Sequence, residues 1–126
     1  VIGLAVMGGA FGEGIDLVGD RLIGAVVVGV GVPLVCLEND LNKAYFDRQH
    51  GSGFAYAYQY PGFNRVLQAT GRVIRTETDR GVMVLIDERF THARYRQLFP
   101  AHWRDFHIVQ DTREIQEHLA RFWARE

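Results

Sequence analysis

Short apolar runs alternate along this chain with longer stretches in which apolar residues recur every three or four positions. Gly3–Met7 is such a run and predicts a first strand. It leads into Gly8-Gly9-Ala10-Phe11-Gly12-Glu13-Gly14-Ile15-Asp16, where four glycines in seven residues predict a loop of unusual backbone geometry. Ile23–Val30 is β-branched throughout its centre and predicts a buried strand ended by Gly31 and Pro33. From Leu34 to about His50 the period lengthens, placing Leu37, Leu41, Ala44 and Tyr45 on one face of a helix closed by Gly51-Ser52-Gly53. A second helical stretch starts near Phe54, is expected to break at Tyr60-Pro61-Gly62, and resumes over Asn64–Arg75. Val82–Asp87 predicts another strand, Thr91–Leu98 a short helix stopped by Pro100, and Ile108-Val109 a last short strand. The final helix opens with the capping pattern Asp111-Thr112-Arg113-Glu114 and carries Ile115, Leu119 and Phe122 on one face, with Trp123 beside them. Strands alternating with helices predict an α/β fold with a mostly parallel sheet. No repeat or linker divides the chain, so residues 1–126 are expected to form one domain.

Composition agrees with a folded domain. With 126 residues, 48% hydrophobic and 23% charged, the chain can bury roughly two thirds of its unfolded surface without metal or disulfide staples. Cys36 is the single cysteine and reads as a small buried hydrophobe. The longest apolar run, Ile23 to Leu37, is interrupted by Gly24, Gly29, Gly31 and Pro33 and falls short of the ~20 residues of a membrane span. No basic residue precedes the apolar start, so no secretory signal is expected and the protein is expected inside the cell, away from membranes. The chain begins at Val1 without an initiator methionine, and we expect an excised piece of something longer.

Charge changes the picture more. The net charge of −1 divides into −3 over residues 1–63 (3 basic, 6 acidic) and +2 over residues 64–126 (11 basic, 9 acidic). Lys43 is the only lysine, so 13 of 14 cations are planar guanidiniums that match phosphate in two-point fashion. A GC-rich genome explains a global arginine excess equally well, so only specific spacing is informative.

Two segments carry chemistry. In the glycine segment, amides uncovered by side chains can approach an anion at the end of a parallel strand, where α/β folds bind ligands. The spacing Gly9-Ala10-Phe11-Gly12-Glu13-Gly14 reverses the dinucleotide fingerprint, and no Gly-Lys-Ser/Thr follows. Glu13 and Asp16 would repel a bare phosphate; Asp16 suits a ribose hydroxyl or a neighbouring arginine. A glycine turn that merely lets strand and helix pack closely fits the same spacing. The second segment is Gln68-Ala69-Thr70-Gly71-Arg72-Val73-Ile74-Arg75. On a continuous helix Gln68, Arg72 and Arg75 would fall at about 0°, 40° and −20°, one narrow stripe. Val66, Leu67, Thr70, Val73 and Ile74 would face the core. Two guanidiniums on such a stripe call for an external polyanion, and Gly71 in mid-helix, costing about 1 kcal/mol against Ala, would permit close approach of a partner. A surface helix with Glu77 and Asp79 as loose partners is the plainer alternative.

Other candidates are weaker. His50, His92, His102, His107 and His118 show no metal-ligand spacing, and no metal site is expected. Tyr56, Tyr58 and Tyr60 suit either packing or a base-stacking platform. Arg89, Arg94, Arg96 and Arg104 suit a solvated face or an extended nucleic-acid track.

Gly9 to Asp16 looks like helicase motif V, and Gln68 to Arg75, a Q-x-x-G-R-x-x-R pattern, looks like motif VI of superfamily two. Together with Gly31-Val32-Pro33, Thr78-Asp79-Arg80-Gly81 and Asp87-Glu88-Arg89-Phe90, they resemble the XPD/DinG family of DNA helicases over Gly9–Phe90, the bacterial DinG-like branch above all. The resemblance implies a three-layer RecA-like (P-loop NTPase-type) domain, the second motor domain of an ATP-dependent helicase moving 5′ to 3′ on single-stranded DNA. It implies truncation at the N-terminus, because motif IV should precede Val1. Carried over by position, Arg75 matches the arginine finger, Arg72 a second phosphate-binding arginine and Gln68 a polar residue aimed at the ATP phosphates. Gly14 and Asp16 match ATP-binding positions of motif V that couple the nucleotide and DNA sites. Gly9, Ala10, Phe11, Gly12 and Glu13 lie near the DNA backbone, with Gly12 where relatives often have Ser. ATP and Mg2+ are the implied cofactors, held largely by a first RecA-like domain whose phosphate loop and acidic motif this chain lacks. The four cysteines of the family's iron–sulfur cluster are also missing. The implied partners are single-stranded DNA and that first domain. Self-association through uncovered sheet surface, a cytoplasmic, nucleoid-associated location and no ATPase from the isolated piece are further expectations. A non-catalytic nucleotide- or phosphate-binding module, used for regulation or assembly, is the alternative function.

Overall fold

The computed structural model describes residues 1–11, 17 and 19–125. They form two compact units, 1–96 and 97–126. The centre of the first is a parallel pair, β1 (Gly24–Val28) and β2 (Val82–Ile86), in register from Gly24 opposite Val82 to Val28 opposite Ile86. A parallel pair needs a long crossover, and here it contains α1 (Leu37–His50), a π-helical segment (Ala55–Gln59) and α2 (Tyr60–Thr70). After β2 come a 3-10 turn (Glu88–Thr91) and α3 (Ala93–Arg96). The second unit contains a 3-10 turn (Ala101–Trp103) and α4 (Thr112–Trp123).

The core of the first unit gathers Val27, Val30, Tyr58, Phe63, Val66, Val73, Phe90 and Tyr95. Period two explains the sheet: Val27 points inward, whereas Val26, Val28 and Ile86 are exposed on the opposite side. Ile23–Val30 is therefore a half-buried strand five residues long, and not buried throughout as its composition suggests. Gly62 of α2 sets the closeness of helix to strand. A Cβ there would lie 2.9 Å from the Val30 carbonyl oxygen, and the facing Gly31 has φ +69. Backbone meets backbone at this point, leaving no room for a side chain on either partner.

Several expectations are corrected. Gly3–Met7 forms no strand; Leu4 and Val6 are exposed and the segment ends in a turn closed by Gly9 N–H to Val6 O at 3.1 Å. The apolar face of α1 is likewise exposed at Leu37, Leu41 and Tyr45, and Cys36, which precedes the helix, is exposed rather than buried. The predicted break at Tyr60-Pro61-Gly62 is absent, because the wider π turn absorbs the proline. Tyr60 N–H reaches back five residues to Ala55 O, so the Pro61 ring and its missing N–H fall where the winding changes. The helix also stops at Thr70 and does not run to Arg75. Ile74 is exposed at 39%, although Val66, Thr70 and Val73 are buried as expected. Thr91–Leu98 is realised as the 3-10 turn and α3, and Ile108 lies outside any strand. In α4 the capping pattern does form: Glu114 N–H donates to Asp111 Oδ1 and Gln110 N–H to Glu114 Oε2, both at 2.9 Å.

Candidate nucleotide and nucleic-acid site

The arginine-bearing segment is built on the end of α2. Thr70 turns its hydroxyl back to Val66 O at 2.8 Å and Leu67 O at 3.2 Å, and Gly71 N–H takes Leu67 O at 2.8 Å. Val73 N–H then bonds Thr70 O at 3.0 Å, a tighter step that takes the chain out of the helix. The single helical stripe of Gln68, Arg72 and Arg75 is therefore corrected: Gln68 sits exposed on the last turn of α2, while Arg72 and Arg75 lie beyond it. Gly71 caps the helix rather than interrupting it. Arg72 and Arg75 are nevertheless brought together, because Arg75 Nε donates to the Arg72 carbonyl at 3.2 Å across buried Val73.

Asp79 closes this turn. Its Oδ2 accepts the backbone N–H groups of Arg75 and Thr76, each at 2.9 Å, and its own N–H donates to Thr76 O at 3.2 Å. Those two amide bonds, Arg75 first, hold the Asp79 carboxyl below the usual carboxylate range. Asp79, expected as a loose partner of the arginines, feels the Arg75 charge, but its main hold is on the main chain.

Of the glycine segment, Gly12, Glu13, Gly14 and Asp16 lie outside the described residues. Gly9, Ala10 and Phe11 are described, with Phe11 exposed. Gly8 has φ +79, and a Cβ there would come within 3.3 Å of Arg65 Nε. Arg65, on α2, also reaches the Gly31 carbonyl with Nη1 at 3.4 Å. One guanidinium thus stands between the glycine segment and the exit from β1. Sequence reasoning missed it; the available signal was its place three residues before Gln68, a neighbouring position on one helix face.

At the end of β2, Asp87 and Arg89 form a two-point ion pair, Nε to Oδ1 at 2.9 Å and Nη2 to Oδ2 at 2.7 Å. Arg94 lies 5.9 Å over the Phe54 ring, and its carbonyl accepts from buried Gln59 at 2.7 Å. The tyrosines do not form a platform. Tyr58 is buried, Tyr56 stacks on Phe46 at 5.1 Å, and Tyr60 meets Tyr56 edge-on. Packing uses all three. In the second unit, His107 and His118 stack at 4.3 Å. Among the described residues no group of three or more His, Cys, Asp or Glu side chains could hold a metal, and no helix is long and apolar enough to cross a membrane. Gln68 on the last turn of α2 and Arg72 and Arg75 just beyond it are donor-bearing side chains of the kind that can bond phosphate oxygens.

Comparison with known proteins places this parallel β/α unit and its Q-x-x-G-R-x-x-R turn. Residues 1–106 match the helicase C-terminal domain family. The chain belongs to that family, as an XPD/DinG-type superfamily-two helicase C-terminal domain. It is 31% identical, over 97% of its length, to the general transcription and DNA repair factor IIH helicase subunit XPD of Arabidopsis thaliana. It is 34% identical over 69% of its length to the ATP-dependent DNA helicase DinG of Photobacterium profundum, and 35% identical over 70% to a probable ATP-dependent helicase of Methanocaldococcus jannaschii. It spans 17%, 13% and 15% of those three relatives.

Proposed function

We propose that this chain serves as the second motor domain of an ATP-dependent DNA helicase that translocates 5′ to 3′ along single-stranded DNA. The observation that supports the reading is the short turn after α2, in which the Arg75 side chain, through Nε, meets the main chain of Arg72, so both arginines leave one hydrogen-bonded turn. In this reading ATP and Mg2+ lie between this domain and a first RecA-like domain, and supply the phosphoryl group and its counter-charge. Arg75 acts as the arginine finger and Arg72 steadies the phosphates. Gln68, one turn earlier, orients polar groups at the nucleotide, with Gly14 and Asp16 completing the nucleotide side. An arginine supplied across such a cleft contributes on the order of 10³ to 10⁵ in rate in related nucleotidases. Gly9, Ala10, Phe11, Gly12 and Glu13 border the DNA backbone. Contacts there are to phosphate and sugar, insensitive to sequence and weakened by salt.

The test is Arg75→Ala in the full-length helicase. DNA-stimulated ATPase should fall by about 10³ with single-stranded DNA affinity little changed. Turnover at the wild-type rate would remove the assignment and favour a non-catalytic phosphate-binding role.

A further inference from the structure

We propose that Asp79 is the positioning residue for Arg75: its carboxylate fixes the turn from which the Arg75 side chain leaves the backbone, and so sets where the guanidinium meets the nucleotide. The inference rests on the reading of Arg75 given above and goes beyond it in naming what holds Arg75 in place.

The need for such a residue follows from where α2 ends. Arg75 lies five residues past Thr70, so helical hydrogen bonding does not orient it. A turn of this kind otherwise samples many backbone states, each ordered residue costing about 1–2 kcal/mol of conformational entropy. Asp79 removes that freedom. One oxygen, Oδ2, receives the N–H groups of both Arg75 and Thr76 at 2.9 Å, and Asp79 N–H returns to Thr76 O at 3.2 Å. Adjacent N–H groups converging on one carboxylate oxygen fix the peptide planes on both sides of the Arg75 Cα. Charge on the acceptor strengthens both bonds. Glu77, though nearer in sequence, takes part in neither of these bonds and is exposed. The Thr76 and Thr78 hydroxyls, 3.1 Å apart, brace the same turn. On the other side, Arg75 Nε rests on Arg72 O, so the turn that Asp79 closes also sets the spacing of the two arginines. Preorganisation of this kind acts on the transition state more than on nucleotide binding, because a small displacement of a charge-stabilising group costs rate before affinity.

The experiment measures DNA-stimulated ATP turnover by the full-length helicase carrying Asp79→Ala, Asp79→Asn, Asp79→Glu, Arg75→Ala and the double change Asp79→Ala/Arg75→Ala. Asp79→Ala should lower kcat by about 10- to 100-fold with KM for ATP changed by less than about threefold. Asp79→Asn, whose amide oxygen accepts the same two N–H groups, should recover most of that loss. Asp79→Glu, which keeps the charge but moves it by one methylene, should not, and it covers the case in which the alanine variant folds poorly. The double variant should be no slower than Arg75→Ala alone, as expected of residues acting as a unit. Wild-type kcat in Asp79→Ala beside an inactive Arg75→Ala would overturn the positioning role and leave the Arg75 reading standing. Additive losses in the double variant would do the same. Normal turnover in Arg75→Ala would overturn both.

Discussion

Tyr58 donates its hydroxyl to Asp40 Oδ1 at 2.6 Å, tying the π-helical segment to α1 across 18 residues of sequence. The Asp40 carboxylate as acceptor, and then burial, push the Tyr58 phenol up to about 12 from 10.0. Because the folded value lies above the unfolded one, this stabilisation is complete below about pH 10 and is lost as pH rises toward 12. Tyr58→Phe keeps the ring in its packed position and deletes the bond. Chemical denaturation of the isolated domain should show the variant less stable at pH 7, with the gap to wild type shrinking at pH 11. No gap at pH 7 would assign the stability to ring packing alone, and a gap that does not shrink at pH 11 would contradict the link to the raised phenol.

The Asp87–Arg89 pair fixes the exit from β2 in the same manner but with the opposite pH sign. Arg89 donates its backbone N–H and both ends of its guanidinium to Asp87. The guanidinium bonds come first in holding the Asp87 carboxyl below its ordinary value, against a smaller upward push from burial. The pair therefore contributes above about pH 4 and is lost as pH falls through the lowered folded value. Arg89 is 44% exposed and Asp87 15%, so solvent screening keeps the contribution small. Asp87→Ala should cost about 1 kcal/mol at pH 7, ion pair and turn cap together. Arg89→Lys should recover little of the two-point geometry. Urea titrations of both variants at pH 7 and pH 3 measure this directly; an unchanged Asp87→Ala difference at pH 3 would contradict it.

A sharper loss is expected where α2 crosses the end of β1. Gly62→Ala would place a methyl 2.9 Å from backbone atoms of Val30, Gly31 and Val32, and Gly31→Ala would add a side chain at φ +69 against Gly62. Neither neighbour is a side chain that can swing away. Each change should cost about 3 kcal/mol, read as a shift of the denaturation midpoint at constant slope. Gly29→Ala is the internal comparison: its φ is +88 but nothing lies within 4 Å, so only the backbone cost of about 1–2 kcal/mol applies.

These particulars also show how far the sequence could be read. The β1–α–β2 order and the cap at Asp111 were legible because period and capping chemistry are local. The end of α2 was not, since Val73 and Ile74 continue the apolar period past Thr70; what stops the helix is a hydroxyl turned back on Val66 O and a glycine one residue on. Arg72 and Arg75 stand out in the sequence by their spacing, yet they lie in a hydrogen-bonded turn and not on a helical stripe. Asp79 stood in view as a charge and was missed as an acceptor for main-chain amides. Arg65 was missed because its partners, Gly8 and Gly31, are distant in sequence and bear no side chains to advertise them. Pro61 misled in the other direction, since a break was the simple expectation and a π turn the outcome.

Gly81 and Val73 give a last prediction that connects packing to the arginine turn. Gly81 precedes β2, and a Cβ there would collide with Val73 Cγ1 and lie 3.1 Å from the Ile23 carbonyl oxygen. Val73 is 3% exposed and sits between Arg72 and Arg75. Gly81→Ala therefore has to push Val73 outward, and the turn carrying both arginines with it. The overpacking should cost about 1–3 kcal/mol, and if Arg75 acts as proposed above, ATP turnover should fall along with stability. Val73→Ala makes the room that the new methyl needs. Its own cavity costs stability, but the pair Gly81→Ala/Val73→Ala should be less destabilised than the sum of the single changes, with a coupling of about 1 kcal/mol or more. Calorimetric melting of the four proteins supplies the cycle. Strict additivity would mean that Gly81 acts through the Ile23 carbonyl alone, and that the arginine turn is indifferent to what lies beneath it.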